Sequence, residues 1–297
     1  MATKPQPLHG VICPTITPVD ESEHVDTVGL IKHLDRLIGH VDGIMALGTT
    51  GEFALLSTKD ADRLVEVTVQ HVAGRIPVIV GVGDTGTERV LRNVGRAERA
   101  NADFVSACCP YYYPTADNML IAHFRRIADE SSLPLVLYNI PQNTVNNISL
   151  DVTAQLAKHP NIVGIKDSSG DMLHFTRLLE LRSAQFAVLQ GANERLATIT
   201  WHLGADGYIS GLENIAPGSM ARIAHAVRTG HAHAISTEQQ RIDRLSTITE
   251  QGFWLSAVKV AASLLSGGTG RPCQPLPQTS EVNRAAIVDI LTEAGLL

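Results

Sequence analysis

The stretch Ile162-Val163-Gly164-Ile165-Lys166 runs through four positions without a polar side chain and then ends on a lysine. Apolar residues on successive positions, in place of an alternating pattern, are typical of a parallel β-strand that is buried on both faces. Seven more runs rich in β-branched and aliphatic residues occur, each closed by a polar or glycine-containing turn, and most of the eight are apolar on successive residues. These seven further predicted strands are Gly10–Pro14, Gly43–Leu47, Pro77–Val80, Phe104–Cys108, Leu133–Tyr138, Phe186–Leu189 and Gly207–Ser210.

Helical patterns separate the predicted strands. After Asp26, for example, Leu30, Ile31, Leu34 and Ile38 recur at helical spacing. Other predicted helix starts are Ser57, Thr87, Asp117, Ser149, Asp171, Asn193 and Pro217. Eight strand–helix units in series predict an α/β fold, a (β/α)8 TIM barrel. A doubly wound open sheet shows the same alternation of strands and helices and is the alternative. Eight short, equally represented strands favour a closed barrel.

The strand patterns stop near Val227, and helical patterns cover the rest of the chain. They lie at His231–Ile248, Trp254–Leu265 and Ser280–Ala294. We therefore predict a catalytic barrel over residues 1–228 and a C-terminal helical extension over residues 229–297.

The composition excludes several classes of protein. The chain has 297 residues, 44% of them hydrophobic, and a formal net charge of -6. A nucleic-acid-binding protein would normally show a basic face, so no nucleic-acid partner is expected. No long apolar run predicts a membrane helix, and Met1–Gly10 lacks the apolar segment of a signal peptide. The cysteines show no disulfide framework or C-x-x-C spacing, so we expect a reduced, cytoplasmic protein.

Lys166 is the first candidate for catalysis, because barrels of this kind carry their active sites at the carboxyl ends of the strands. The other lysines of the chain all fall in tails or helical patterns. Burial disfavours a charged ammonium group, and a neutral amine can attack a ketone to form a Schiff base. The alternative is an ion pair with a carboxylate on the next strand. Lys259, in the helical pattern Leu255–Ala261, is expected to extend its ammonium group to water.

The segment Gly48-Thr49-Thr50-Gly51-Glu52 follows the second predicted strand and precedes a helix. Glycines let the backbone turn several N–H groups toward one point, and two threonine hydroxyls add donors, which suits a substrate carboxylate. An ordinary strand-to-helix turn is the alternative. Tyr138 ends the fifth strand and Tyr112 follows the fourth. Either hydroxyl could transfer protons, but a tyrosine at a strand end can also simply pack.

Two other patterns can be considered as cofactor or metal sites, and neither is interpreted as one. Gly81-Val82-Gly83-Asp84-Thr85-Gly86 matches a dinucleotide-binding fingerprint. It follows the third strand, however, and no acidic residue ends the next strand, so we interpret it as a tight turn. His225, His231 and His233 match no ligand spacing, so no metal is expected.

Together these strand ends resemble the dihydrodipicolinate synthase and N-acetylneuraminate lyase family, the class I pyruvate-dependent aldolases. The resemblance covers nearly the whole chain. Its motifs are Pro14-Thr15-Ile16-Thr17-Pro18, Gly48-Thr49-Thr50-Gly51-Glu52, Pro110-Tyr111-Tyr112, Tyr138-Asn139-Ile140-Pro141, Gly164-Ile165-Lys166-Asp167 and Gly204-Ala205-Asp206-Gly207. It implies a (β/α)8 barrel with a C-terminal helical extension, usually assembled as a homotetramer, a dimer of dimers.

The resemblance also implies roles for the candidate residues. Lys166 is similar to the family's Schiff-base lysine, and Tyr138 to the tyrosine that transfers protons beside it. Thr49 and Thr50 resemble the residues that hold the pyruvate carboxylate, and Thr49 also links a proton relay. Tyr112 resembles the tyrosine that completes this relay, which in the synthases comes from the neighbouring subunit. No diffusible cofactor is implied, because the imine itself is the electron sink.

The remaining predicted substrate-binding positions are Gly48, Asn143, Gly191 and Ser210. In the synthases the position of Asn143 carries an arginine that binds the carboxylate of aspartate semialdehyde. An asparagine lacks that charged, bidentate contact. The segment around Asn143 is instead similar to the 4-hydroxy-2-oxoglutarate aldolases.

The leading hypothesis is a lyase that forms or cleaves a carbon–carbon bond through a pyruvate enamine on Lys166. Its substrate would be a short 2-oxo acid of the 4-hydroxy-2-oxoglutarate or 2-keto-3-deoxy-sugar-acid type, with pyruvate and a small aldehyde as the reaction partners. One alternative is a 4-hydroxy-tetrahydrodipicolinate synthase that condenses pyruvate with aspartate semialdehyde. Another is a 2-keto-3-deoxy acid dehydratase. A barrel that binds a keto acid and regulates a partner is the non-enzymatic alternative.

Overall fold

Eight parallel strands pair in chain order, and the eighth pairs with the first, so the sheet closes into a barrel. This arrangement is that of a computed structural model, which describes residues 8–297. The predicted (β/α)8 TIM barrel is therefore confirmed. The strands are β1 (Gly10–Pro14), β2 (Gly43–Ala46), β3 (Val78–Gly81), β4 (Phe104–Cys108), β5 (Leu135–Asn139), β6 (Ile162–Asp167), β7 (Ala187–Gln190) and β8 (Gly207–Ile209).

Helices pack around the barrel and continue beyond its last strand. They are α1 (Thr27–Leu37), α2 (Thr58–Val72), α3 (Thr87–Arg99), α4 (Asp117–Glu130), α5 (Pro141–Thr144), α6 (Leu150–Leu156), α7 (Met172–Leu179), α8 (Ala197–His202), α9 (Ser219–Thr229), α10 (Ala232–Ser246), α11 (Trp254–Ser266) and α12 (Glu281–Glu293). Short 3-10 turns lie at Glu194–Leu196, Gly211–Asn214 and Thr247–Glu250. No helix in the part of the chain that the structure describes is long and apolar enough to cross a membrane.

Four helices begin at side chains that the sequence indicates as caps. Asp26, Ser57, Ser149 and Asp171 each accept a hydrogen bond from a backbone N–H in the first turn of the helix that follows. The start expected at Pro217 is displaced, since α9 begins after Gly218.

Three strands begin later than predicted. At β3 and β5 the reason is a proline, which has no N–H to donate to a neighbouring strand: Pro77 is the first residue of one predicted run and Pro134 the second residue of the other. At β7 the reason is Phe186, whose backbone exchanges hydrogen bonds with Ser183 in an antiparallel bridge and so leaves the parallel ladder.

The strands separate two apolar layers. Ile12, Met45, Val136, Val163 and Leu189 belong to the cluster inside the barrel. The opposite faces of the strands pack against the helices in a larger cluster. Because each strand is covered on both sides, its apolar residues are continuous, as the sequence predicted.

A register shift in β6 determines which way Lys166 points. Leu135 of β5 pairs with Ile162, but the next residue of β5 pairs with Gly164, so β6 contains one extra residue at Val163. Such a bulge changes the alternation of inward and outward side chains. Val163 lies inside the barrel, Ile165 faces the helices, and Lys166 faces the barrel mouth. Strict alternation from Val163 would have put Lys166 among the helices.

The prediction for Lys259, which lies on helix α11, is wrong. Lys259 does not reach water: it is 1% exposed, and its Nζ lies 2.5 Å from Oε2 of Glu52. The reason is that α11 is covered along most of its length, so a long side chain has no route to solvent, and a distant part of the chain supplies its counter-charge.

The division of the chain at residue 228 stays a prediction, since Ile223 and Ile242 on either side belong to one apolar cluster.

Candidate active site

A cavity of about 500 Å³ lies at the carboxyl ends of the barrel strands. Its wall comes from the loops after the strands on one side and from α10, α11 and the turn between them on the other. Six of the predicted site residues line it together: Thr49, Thr50, Tyr138, Asn143, Lys166 and Gly191.

Lys166 and Tyr138 form the floor of the cavity. They occupy paired positions on β6 and β5, and the Nζ of Lys166 lies 4.0 Å from the centroid of the Tyr138 ring. Both side chains are buried, at 3% and 5% exposed. No ion pair within residues 8–297 involves Lys166, so the alternative of a carboxylate partner is not observed. A buried amine without a counter-charge is suited to nucleophilic attack on a carbonyl group.

The outer faces of the same two strands are fixed by a polar network. The amide of Asn139 donates to Oδ1 of Asp167 at 2.8 Å, and the Ser169 hydroxyl donates to Oδ2 at 2.8 Å. Burial raises the pKa of the Asp167 carboxyl, while these two donors oppose that rise. Because Asn139 and Asp167 directly follow Tyr138 and Lys166, the network holds the ends of β5 and β6 in register.

The loop after β2 connects its hydroxyl groups to the tyrosine. Thr49 Oγ1 lies 3.1 Å from the Tyr138 hydroxyl oxygen, and either atom can be the donor. Thr50 lines the same cavity beside Thr49. An amine, a phenol and two aliphatic hydroxyls therefore face one enclosed space, which suits a substrate that carries a carbonyl and a carboxylate group.

Gly191 is required for this arrangement. A Cβ atom added there would lie 2.5 Å from Cε of Lys166 and 2.3 Å from the hydroxyl oxygen of Ser168. Any side chain at this position would displace the lysine, because neither contact is sterically allowed.

Three predicted site residues do not line the cavity. Gly48 belongs to the loop Gly48–Glu52 after β2, which we call the threonine loop, where its carbonyl accepts a hydrogen bond from Gly51 N–H at 3.0 Å. Ser210 is fully buried behind the wall and donates to the Glu194 carboxylate at 3.0 Å, so it acts on the cavity through Glu194. Tyr112 is 76% exposed and stacks edge-on against Tyr113 outside the cavity. Its predicted role in a neighbouring subunit stays a prediction.

Sequence reasoning missed the residues at the entrance of the cavity. Arg195 and Glu250 form an ion pair there, and Trp254 lies beside them. Arg195 follows a strand end, so its position in the chain could have identified it. Glu250 and Trp254 come from the helical extension, and no local pattern places that part of the chain against the barrel mouth.

Other reactive groups near the site do not compete with Lys166. Burial raises the pKa of the Cys108 thiol to about 12, so this cysteine, which packs against Tyr138, stays protonated and unreactive. All four cysteines are free and buried. The structure describes no group of three or more His, Cys, Asp or Glu side chains within residues 8–297 that could hold a metal ion.

The glycine-rich segment after β3 is a turn between β3 and α3. A Cβ at Gly81 would lie 1.9 Å from the carbonyl oxygen of Leu47, and one at Gly83 would lie 2.5 Å from Sγ of Cys108. These glycines therefore allow close packing between loops of the barrel.

Comparison with known proteins gives consistent matches over the whole chain. The model of the dihydrodipicolinate synthetase family matches residues 7–294. A 4-hydroxy-tetrahydrodipicolinate synthase of Gluconacetobacter diazotrophicus is 37% identical over 298 residues, covering 97% of either chain. The dihydrodipicolinate synthase of Acinetobacter baumannii, solved with pyruvate, has a TM-score of 0.89 at 30% identity and covers 97% of this chain and 99% of that one. YagE of E. coli K12, also solved with pyruvate, has a TM-score of 0.91 at 26% identity, covering 98% and 99%.

These matches include the barrel and the C-terminal helices, so the shared architecture contains all the elements that build the cavity. The protein is an enzyme, a lyase of the class I aldolase type. Within that class, the chain belongs to the dihydrodipicolinate synthetase family.

Proposed function

We propose that the enzyme forms or cleaves a carbon–carbon bond through a pyruvate enamine on Lys166, with short 2-oxo acids of the 4-hydroxy-2-oxoglutarate or 2-keto-3-deoxy-sugar-acid type as substrates. The observation that carries the proposal is the buried amine of Lys166, which lies against Tyr138 and has no carboxylate partner among residues 8–297. Two structural neighbours were solved in complex with pyruvate, which supports pyruvate as the donor.

The proposed chemistry begins at the Lys166 amine. It attacks the C2 carbonyl of pyruvate, and the carbinolamine loses water to give an imine. Loss of a proton from C3 gives the enamine, whose C3 then attacks the carbonyl carbon of an aldehyde. Hydrolysis of the resulting imine releases the product and regenerates the amine, and cleavage follows the reverse order. No diffusible cofactor is needed, because the protonated imine accepts the electron pair.

Tyr138 and Thr49 have the geometry for the proton transfers. The Tyr138 ring lies against the Lys166 amine, and the contact of its hydroxyl with Thr49 Oγ1 gives that hydroxyl a route to exchange a proton. Thr49 and Thr50 are the proposed donors to the pyruvate carboxylate. The homotetramer, the contribution of Tyr112 to this relay and the cytoplasmic location stay predictions from the sequence.

Asn143 gives the acceptor a neutral amide as its neighbour and supplies no charged partner for a carboxylate at this position. It lines the cavity from α5, next to Gln142, so the side chains there are neutral amides. An amide donates to hydroxyl and carbonyl oxygens and accepts from hydroxyl groups, whereas a guanidinium selects carboxylates. The cavity, at about 500 Å³, also exceeds what pyruvate alone would fill.

A second candidate is 4-hydroxy-tetrahydrodipicolinate synthase. It is favoured by the relative from Gluconacetobacter diazotrophicus, which carries that name at 37% identity. Both candidates share the imine on Lys166 and differ in the aldehyde that the enamine attacks, whereas a dehydratase would eliminate water from a 2-oxo acid bound as the imine. Product analysis separates the three reactions. Released pyruvate indicates an aldolase, a cyclic imine indicates the synthase, and loss of water indicates a dehydratase.

The test of the shared step is borohydride reduction of the enzyme in the presence of pyruvate, followed by mass spectrometry of the peptides. We expect a mass gain that matches one reduced pyruvate per chain, on Lys166. Absence of an adduct, or an adduct on another residue, would exclude the proposed mechanism. Screening of aldehydes and 2-oxo acids with the same preparation then identifies the acceptor.

Gly191→Ala is expected to lower kcat/KM by about 100-fold, because the added methyl group displaces the Lys166 side chain from its position. Steady-state kinetics and thermal unfolding measure the effect on activity and on stability. Gly86→Ala is the matched control, since a Cβ there meets no atom within 4 Å. A Gly191→Ala enzyme with the activity of the Gly86→Ala control would show that the space at residue 191 is not needed.

Asn143→Arg is expected to raise the preference for aspartate semialdehyde over glyceraldehyde, an aldehyde without a carboxylate, by about tenfold, because a guanidinium adds a charge-assisted contact to the carboxylate of aspartate semialdehyde. The measurement is the ratio of kcat/KM for the two acceptors with pyruvate as donor. Asn143→Gln keeps a neutral amide and is the control. An unchanged ratio in the arginine variant would show that residue 143 does not contact the acceptor.

A further inference from the structure

We propose that the buried ion pair between Lys259 and Glu52 positions the loop that binds the substrate carboxylate, so that Lys259 of helix α11 contributes to pyruvate affinity without touching the substrate. This inference rests on the proposed function, because it names what holds Thr49 and Thr50 in place. It gives the C-terminal helices a role in the site besides forming one wall of the cavity.

The ion pair is fully enclosed. The Lys259 and Glu52 side chains are 1% and 0% exposed, and Nζ lies 2.5 Å from Oε2. The second carboxylate oxygen, Oε1, accepts a hydrogen bond from the backbone N–H of Cys273 at 2.7 Å. Two separate points beyond α10 therefore contact one carboxylate that belongs to the barrel. Because neither charge has access to water, each depends on the other for compensation.

The carboxylate belongs to the last residue of the threonine loop. Glu52 N–H donates to the Thr49 carbonyl at 3.1 Å, and the Thr17 hydroxyl donates to the Gly51 carbonyl at 2.7 Å. The backbone of Glu52 has a φ of 58°, in the left-handed region that residues with a side chain rarely adopt. A left-handed backbone persists when surrounding contacts hold it, and the contacts of this side chain are those with Lys259 and Cys273.

Loss of the pair would therefore act on substrate binding first. Glu52 would relax from its left-handed conformation, and Thr49 and Thr50 would move with it. Lys166 lies on β6, whose register is fixed by β5 and β7, and it would keep its place. We expect a higher concentration of pyruvate for half-saturation, with an unchanged maximum of imine on Lys166. A purely stabilising ion pair would change thermal unfolding without that separation.

The test compares three variants of the full chain. Lys259→Met removes the cation at similar length, and Glu52→Gln keeps the volume and the oxygen that accepts from Cys273 N–H. Leu291→Ala removes a buried side chain of α12, in the apolar cluster to which Val258 and Val260 of α11 also belong. For each variant, the amount of borohydride-trapped adduct on Lys166 is measured against pyruvate concentration, together with thermal unfolding.

The expected result is a half-saturating pyruvate concentration raised roughly tenfold in Lys259→Met and less in Glu52→Gln, with the adduct still reaching one per chain. Leu291→Ala should lower the unfolding temperature and keep half-saturation within about twofold of the wild type. The inference would be overturned if both ion-pair variants had the half-saturating pyruvate concentration of the wild type. It would also be overturned if Leu291→Ala raised that concentration as much as the ion-pair variants do. If Lys259→Met does not fold, the half-saturating pyruvate concentrations of Glu52→Gln and Leu291→Ala are compared in its place. A wild type that forms no adduct would instead refute the proposed function.

Discussion

Lys166→Ala is expected to lower turnover by about 10⁵-fold or more and to abolish the borohydride-trapped pyruvate adduct. Without the amine no imine forms, and the electron pair that develops at C3 of pyruvate has no acceptor. The measurement is release of pyruvate from a 2-oxo acid substrate, together with mass spectrometry after reduction. The same loss is expected for Lys166→Arg, because a guanidinium stays protonated and is not a nucleophile.

Lys158→Ala provides the control for this prediction. Lys158 is exposed and lies beyond the end of α6, away from the cavity. The control should keep wild-type turnover and carry its adduct on Lys166. Thermal unfolding of all the variants shows whether the barrel is intact. Full turnover in Lys166→Ala, or an adduct that moves to another lysine without loss of rate, would contradict the imine mechanism.

Tyr138→Phe is expected to reduce kcat by roughly 10²–10⁴-fold, which is the usual contribution of a general acid or base. The change removes only the hydroxyl that contacts Thr49 and keeps the ring against which Lys166 packs. Substrate binding should therefore change little. Imine formation should become slow without being prevented, so the adduct should still accumulate after long incubation. Rapid-mixing kinetics and the time course of trapping measure the two effects.

Thr49→Val tests whether the tyrosine acts through the observed contact. It removes the hydroxyl that lies 3.1 Å from the Tyr138 oxygen. If the two hydroxyls act as one relay, the double variant should be little slower than Tyr138→Phe alone, because residues that act as a unit are not additive. Tyr113→Phe, on an exposed ring, is the control. Near wild-type kcat in Tyr138→Phe would exclude the hydroxyl from the chemistry.

The site depends on the same physical feature that defines the fold. Parallel strands that are covered on both faces leave only their ends for polar chemistry. Lys166, Tyr138 and the threonine loop occupy three such ends and line one cavity. Asn143 on α5 and Arg195 in the turn Glu194–Leu196 lie outside the strands, where a substitution can alter the cavity wall and leave the barrel intact.

Local features of the sequence were sufficient for the fold and for the first list of site residues. Continuous apolar runs predicted buried parallel strands, and side chains such as Asp26 and Ser57 indicated helix starts, since a cap bonds to a backbone only two or three residues away. Lys166 was identifiable because a lysine directly after an apolar run is unusual. These signals depend on neighbours along the chain, so they can be seen in the sequence itself.

The tertiary structure alone decided which way these side chains point and what holds them. A continuous apolar run has no alternation, so the sequence could not reveal that an extra residue at Val163 directs Lys166 into the barrel. Nor could it pair Lys259 with Glu52, which are 207 residues apart, or bring Glu250 to Arg195 at the cavity entrance. Contacts between distant segments depend on how the barrel closes and how the C-terminal helices pack, and no local pattern records either.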